Sequence, residues 1–212
     1  MGVLFQIYWP PVYAFIRRRG YSASDAEDLA QAYFTRFFEK RYARDFRPSA
    51  GRFRTFLRAS LAHFLANEWD RAHALKRGGG KPLVSLDTAA AEDRYLREPA
   101  DDVTPETLFE RDWAAAMLER CVARLRQEQR GLEGGSRFER LKTFLVGGVA
   151  ASDYAGVANE LGLSEGAVRV AVHRLRRRFC SVLREEVART VTDPTDVDDE
   201  IRWLLAAVRG TG

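Results

Sequence analysis

Between Tyr154 and Phe179, apolar residues recur at helical spacing on both sides of one glycine. Residues 154–161 read as a short helix that Gly162 stops, because only glycine adopts the left-handed conformation at little cost. Leu163 is expected to turn inward. Ser164 is expected to cap the next helix, with Glu165 at its positive end. Val157, Ala158, Leu161, Gly162, Leu163, Val168 and Ala171 stand at the spacings of a helix-turn-helix. Small Ala158 lets two helices approach closely, and Leu163 and Val168 fill the angle between them.

The second helix of this pair has two faces. Val168, Ala171, Val172, Leu175 and Phe179 fall inward, while Gly166, Val170, His173 and Arg177 fall outward, flanked by Arg169 and Arg174. Residues 164–178 hold five Arg and one acid, Glu165. A small, adaptable amino-terminal outer face followed by a basic half suits the major groove of DNA. Glu165, Arg169 and Val170 are placed to meet base edges. Arg174, Arg176, Arg177 and Arg178 are placed to hold phosphates. The plainer reading of the same pattern is an Arg-rich surface helix in an unrelated bundle.

The rest of the chain shows no sustained strand alternation, so the predicted fold is all-α: two small helical bundles joined by a linker, with a helix-turn-helix in the second and a short helix at the carboxyl end. Residues 1–75 form the first module, 76–106 the linker, 107–190 the second module and 191–212 the tail. In the first, Ser24 and Glu27 fit a capping box. Ala26, Leu29, Ala30, Tyr33, Phe34 and Phe37 then share one face, with Asp28, Gln31, Thr35 and Glu39 opposite. That polar face is either solvated surface or a docking surface. A second helix is expected from about Gly51 to Lys76, with Phe53, Phe56, Leu57, Leu61 and Phe64 inside. Arg54, Arg58, Trp69, His73 and Lys76 are expected outside. Cations interleaved with an exposed indole suit single-stranded nucleic acid, although a charged helix face with a partly packed Trp69 reads the same way.

Residues 76–106 carry Gly78-Gly79-Gly80, Pro82, Pro99 and Pro105, a linker composition. In the second module, Trp113, Met117, Leu118, Cys121 and Leu125, then Phe138, Leu141 and Leu145, are expected to pack behind the helix-turn-helix. The tail runs from an acidic stretch, Asp193 to Glu200, into an amphipathic helix over 201–208. It is expected either to cover apolar core or to shield the Arg-rich helix.

Composition narrows the function classes. The chain has 212 residues, 34 Lys+Arg against 30 Asp+Glu, and a formal net charge of +4. Its 2 Cys exclude a disulfide framework, and with 3 His they give no metal-ligand spacing, so no metal or cofactor is predicted. The glycine triplet lacks the GK[ST] of a phosphate cradle. The apolar stretch at residues 1–16 is interrupted by Gln6, Pro10 and Pro11, which argues against a membrane span or signal peptide and for a cytoplasmic protein. No paired acids, triad or metal cluster points to an enzyme.

Taken together, these modules resemble a bacterial RNA polymerase sigma factor of the extracytoplasmic-function group of the sigma-70 family, over about residues 8–190. Residues 25–31 (Asp-Ala-Glu-Asp-Leu-Ala-Gln) resemble the region-two motif that binds core polymerase, which implies Asp28 and Gln31, with Thr35 on the same face, as polymerase contacts. Phe53-Arg54-Thr55-Phe56-Leu57, continuing to Arg71, resembles the helix that reads and melts the minus-ten element. That resemblance implies Arg54, Arg58, His63, Asn67, Trp69, Arg71 and Lys76 as its contacts. Ser164-Glu165-Gly166-Ala167-Val168-Arg169 with His173-Arg174-Leu175-Arg176 resembles region four. It implies minus-thirty-five contacts from Ser164, Glu165, Gly166, Arg169, Val170, His173, Arg174, Arg176 and Arg177. The implied partners are core RNA polymerase, promoter DNA and an anti-sigma factor. The chain departs from the family at Ala32, where Glu is common, and at His63 and Asn67, where Asn and Asp are frequent. The alternative is a stand-alone helix-turn-helix regulator whose first module binds another protein.

Overall fold

The computed structural model of the chain describes residues 2–39, 52–74, 104–129, 132–145, 153–191 and 193–209. Among them there are eight α-helices and no strand: α1 (Gly2–Arg18), α2 (Ala23–Glu39), α3 (Phe53–Ala74), α4 (Pro105–Glu128), α5 (Leu132–Leu141), α6 (Asp153–Leu161), α7 (Glu165–Ala188) and α8 (Val197–Arg209). The all-α expectation holds. The chain divides into two compact units. One comprises residues up to 116 together with residues from 190 onward, and the other residues 117–189. The predicted linker lies almost wholly outside the described residues; at its far end, α4 already begins at Pro105.

The first unit is built on aromatic packing. α1 runs through Pro10 and Pro11. Two prolines inside a helix withhold N–H groups from the turn before them, yet the surrounding side chains are so deeply buried that the helix persists. Val12, Tyr13, Phe15 and Ile16 are all inaccessible, and each such large apolar side chain contributes about 1.5–3 kcal/mol. α2 adds Ala26, Ala30, Tyr33, Phe34 and Phe37, as its periodicity requires, and α3 adds Phe53, Leu57, Leu61 and Phe64. The start of α2 differs from expectation. Ser22, not Ser24, caps it: the Ser22 hydroxyl accepts from the Asp25 N–H at 3.1 Å and donates to the Asp25 carboxylate at 2.7 Å. Both serines stand three residues before an acid, and the helix takes the earlier pair.

Two further expectations are corrected here. Trp113 does not pack behind the turn of the second unit. It is fully buried in the first, with the Tyr8 ring stacked 6.4 Å away and Trp203 at 5.9 Å. Arg54, expected on the outer face of α3, is buried at 4% exposure. The tail causes both. α8 sinks Val197, Leu204 and Glu200 into this unit, where Glu200 takes Arg54 at 3.1 Å and Arg52 at 2.9 Å. Trp203 lies over the Arg54 guanidinium at 3.3 Å. Burial pushes the Glu200 carboxyl up against the pull of the two arginines, and burial lowers Arg54 as well. The tail therefore covers core, the first of its two expected roles.

The second unit holds α5, α6, α7 and residues 117–128 of α4. Met117, Cys121, Leu125, Phe138 and Phe144 are buried with Val168, Val172, Val182 and Val187. Burial pushes the Cys121 thiol up to about 12, which suits a core residue and not a nucleophile. Glu186, 2% exposed, is held by Arg120 at 2.8 Å, Arg124 at 2.9 Å and Arg189 at 3.0 Å. Burial alone would raise its carboxyl. The hydrogen bonds from Arg120 and Arg124 overcome that and hold it below the usual range.

Candidate nucleic-acid interface

The turn before α7 forms as its residues dictate. Gly162 has φ +64°, Leu163 N–H donates to the Ala158 carbonyl at 2.9 Å, and the Ser164 hydroxyl accepts from Ala167 N–H at 3.2 Å. Ala158 and Val168 are buried against this turn. α7 then presents Glu165, Gly166, Arg169, Val170, His173, Arg174, Arg176 and Arg177 to solvent, alongside the exposed cap Ser164. Val170 is 51% exposed, a large apolar side chain left open on a basic face.

The cations on that face are not equivalent. The Arg169 guanidinium bonds Glu165 through Nε at 3.1 Å and lies over the Tyr154 ring at 4.5 Å. It is therefore pre-oriented at the amino end. Arg176 directs Nε and Nη2 to the Phe144 carbonyl, at 3.0 and 2.9 Å. Arg178, expected to hold phosphate, instead clasps Glu128 with Nε and Nη2, at 2.8 and 2.6 Å. That contact holds the Glu128 carboxyl below its usual range. Arg174 and Arg177 form no ion pair among the described residues. Of the four arginines expected to hold phosphates, two stand ready and two are engaged within the protein.

In the first unit, α2 presents Asp28 and Thr35 to solvent, with Gln31 half-buried between them. On α3, His63 and Arg71 are exposed, and Trp69 is 55% exposed. Arg58 is half-buried and lies 3.6 Å from Glu110. Lys76 lies outside the described residues, as does the side chain of His73. His63, Asn67 and Arg71 come together around a pocket of about 250 Å³ with Tyr33, Arg36, Ser60 and Phe64. Its base is ordered. The Tyr33 hydroxyl donates to the Leu57 carbonyl at 3.1 Å and shares a 2.6 Å hydrogen bond with Ser60. Glu68 is pinned between Arg36 at 3.0 Å and Arg71 at 2.7 Å. Ser60, Arg36 and Tyr33 were not among the expected site residues. The signal for Ser60 was present: 60, 63, 64, 67 and 71 form one helical stripe.

Residues 4–74, the segment that includes α2, α3 and nearly all of α1, match the family model described as Sigma-70 region 2. This is about a third of the 212-residue chain. No curated protein and no solved structure matches the chain. The likeness supports a sigma-70-type factor, with a role in promoter recognition and transcription initiation. No described helix is long and apolar enough to cross a membrane.

Proposed function

We propose that this chain is a sigma factor of the extracytoplasmic-function kind, a non-catalytic subunit that brings core RNA polymerase to promoters. The observation that carries the reading is the Sigma-70 region 2 match over residues 4–74. The exposed basic face of α7 supports it from the other unit.

In this reading Asp28, Gln31 and Thr35 dock α2 on core polymerase. The exposed side of α3 engages the minus-ten element. Arg71, with one terminal nitrogen on Glu68, turns the other to phosphate, Trp69 offers a ring for base stacking, and His63 and Asn67 line the pocket that meets an unpaired base. α7 enters the major groove at the minus-thirty-five element. Arg169, held over Tyr154, and Val170 address base edges, while Arg174, Arg177 and His173 grip the backbone. Ser164, Glu165 and Gly166 form the end of the helix that approaches the groove, and Arg176 keeps one terminal nitrogen for phosphate. An anti-sigma factor is a further partner in this reading.

Run-off transcription with core polymerase on a promoter library tests it. Discrete transcripts from templates sharing two elements are expected. Failure to co-purify with core polymerase, combined with tight binding to one duplex site, would replace this reading with a stand-alone regulator.

A further inference from the structure

The first unit closes on itself at an unusual joint. α8 and the residues just before it carry Asp193, Asp196, Asp198, Asp199 and Glu200, five acids in eight residues. Of these, Glu200 is driven into the unit, 1% exposed, against the two arginines at the amino-terminal end of α3. A tail meant only to cover core would keep its buried face apolar, with its acids on the solvated side. Here the seam is polar and incompletely satisfied. Arg54 Nε and Glu200 Oε2 are buried without a hydrogen-bond partner among the described residues. Arg52 lies near Glu200 Oε2 in charge contact but out of line for a hydrogen bond. Each such buried orphan destabilises the closed form, and a buried ion pair adds little net stability over an apolar filling. Such a seam specifies where the tail docks more than it strengthens the docking. Its chemistry, carboxylates on paired guanidiniums, is also that of phosphate on arginine.

We propose that residues 193–209 are a releasable acidic strap that competes with nucleic acid for Arg52 and Arg54, so that the structure shows this end of α3 in its nucleic-acid-excluded form. The inference rests on the reading of α3 as the minus-ten helix. Opening the strap releases Arg52 and Arg54, at the amino-terminal end of α3, from Glu200 and removes an acidic segment that repels phosphate. A nucleic acid therefore binds the open form and shifts the population toward it, and apparent affinity falls by the fraction of time the strap is closed.

The test measures binding of a fluorescent 20-nucleotide single strand to the full-length chain. Glu200→Lys sets a like charge against Arg52 and Arg54, and Leu204→Asp places a charge where Leu204 is fully buried. Both are expected to bind at least fivefold more tightly than wild type. Adding Arg54→Ala to Leu204→Asp is expected to remove most of the gain. Hydrogen exchange on the unmodified chain provides a second arm that needs no variant to fold: saturating oligonucleotide is expected to speed exchange over 197–209. Loss of tail protection in the variants with unchanged or weaker binding overturns the strap, as does unchanged exchange over 197–209 while 60–71 becomes protected. If wild type co-purifies with core polymerase and these results fail, the strap alone falls. If no form of the chain binds either DNA or polymerase, the sigma reading fails first and the strap with it.

Discussion

Gly162 shows how much one backbone angle decides. Its φ of +64° is a conformation that side-chain-bearing residues adopt only at about 1–2 kcal/mol. A methyl group built there meets nothing within 4 Å, so backbone strain is the whole effect. Gly162→Ala should destabilise the second unit by about 1 kcal/mol and lower its melting transition by roughly 4–8 °C, read by circular dichroism. Gly162→Asn should lose less, because asparagine tolerates this region. The position was legible in the sequence because its cause is local: one helix must stop and another must start within three residues. Arg54 was not legible. Its place on the stripe of Leu57, Leu61 and Leu65 pointed inward, but its charge pointed outward, and the acid that partners it there, Glu200, lies 146 residues away. Ser22 and Ser24 were ambiguous for a third reason, since two cap patterns overlap in register and only packing chooses between them.

At the scale of elements, α7 is a scaffold in its carboxyl half and, in the proposed function, a reader in its amino half. Glu186, Glu185 and Glu128 lock the scaffold half to α4 through Arg120, Arg124 and Arg178. The Glu186 carboxyl is held below its ordinary value near 4.5. A depressed acid stabilises the fold fully above that unfolded value, and the stabilisation is lost as pH falls through the lower folded value. The difference in urea midpoint between pH 7 and pH 4 should therefore shrink in Glu186→Gln. It should not vanish, because Glu128 and Glu185, held down by Arg178 and Arg124, titrate in the same direction. The reader half makes a separable prediction. Each phosphate neutralised contributes about −0.9 to the log–log salt slope of duplex affinity. Arg177→Ala should make that slope shallower by about 0.9. Arg178→Ala should leave it unchanged, because Arg178 is already paired with Glu128. The helix periodicity correctly separated inward from outward positions along α7. It could not say which outward arginines were engaged, because their acceptors, Glu128 and the Phe144 carbonyl, lie on other elements.

For the whole molecule, the claim that distinguishes a sigma factor from a stand-alone regulator is that two surfaces in two units serve one event through a third party. Asp28 lies in the first unit and Arg177 in the second, and both are exposed. Substituting either should change folding stability by no more than about 0.5 kcal/mol, so losses of function at these positions report on contacts. Asp28→Arg should abolish co-purification with core polymerase while leaving the weak, salt-dependent duplex binding of the free chain unchanged. Arg177→Ala should retain polymerase and lose duplex affinity. Each should then depress run-off transcription, for different reasons. Adding excess core polymerase should restore neither: Asp28→Arg has lost the attachment, and Arg177→Ala forms the complex but grips the upstream element poorly. Tethering two modest contacts to one polymerase multiplies their effect by 10²–10⁴ without any new contact. Promoter discrimination should therefore be far steeper in the polymerase complex than in the free chain. Equal discrimination with and without polymerase, measured by competition on templates bearing one or both elements, would show that the second unit reads DNA on its own account and that the likeness over residues 4–74 serves some other partner.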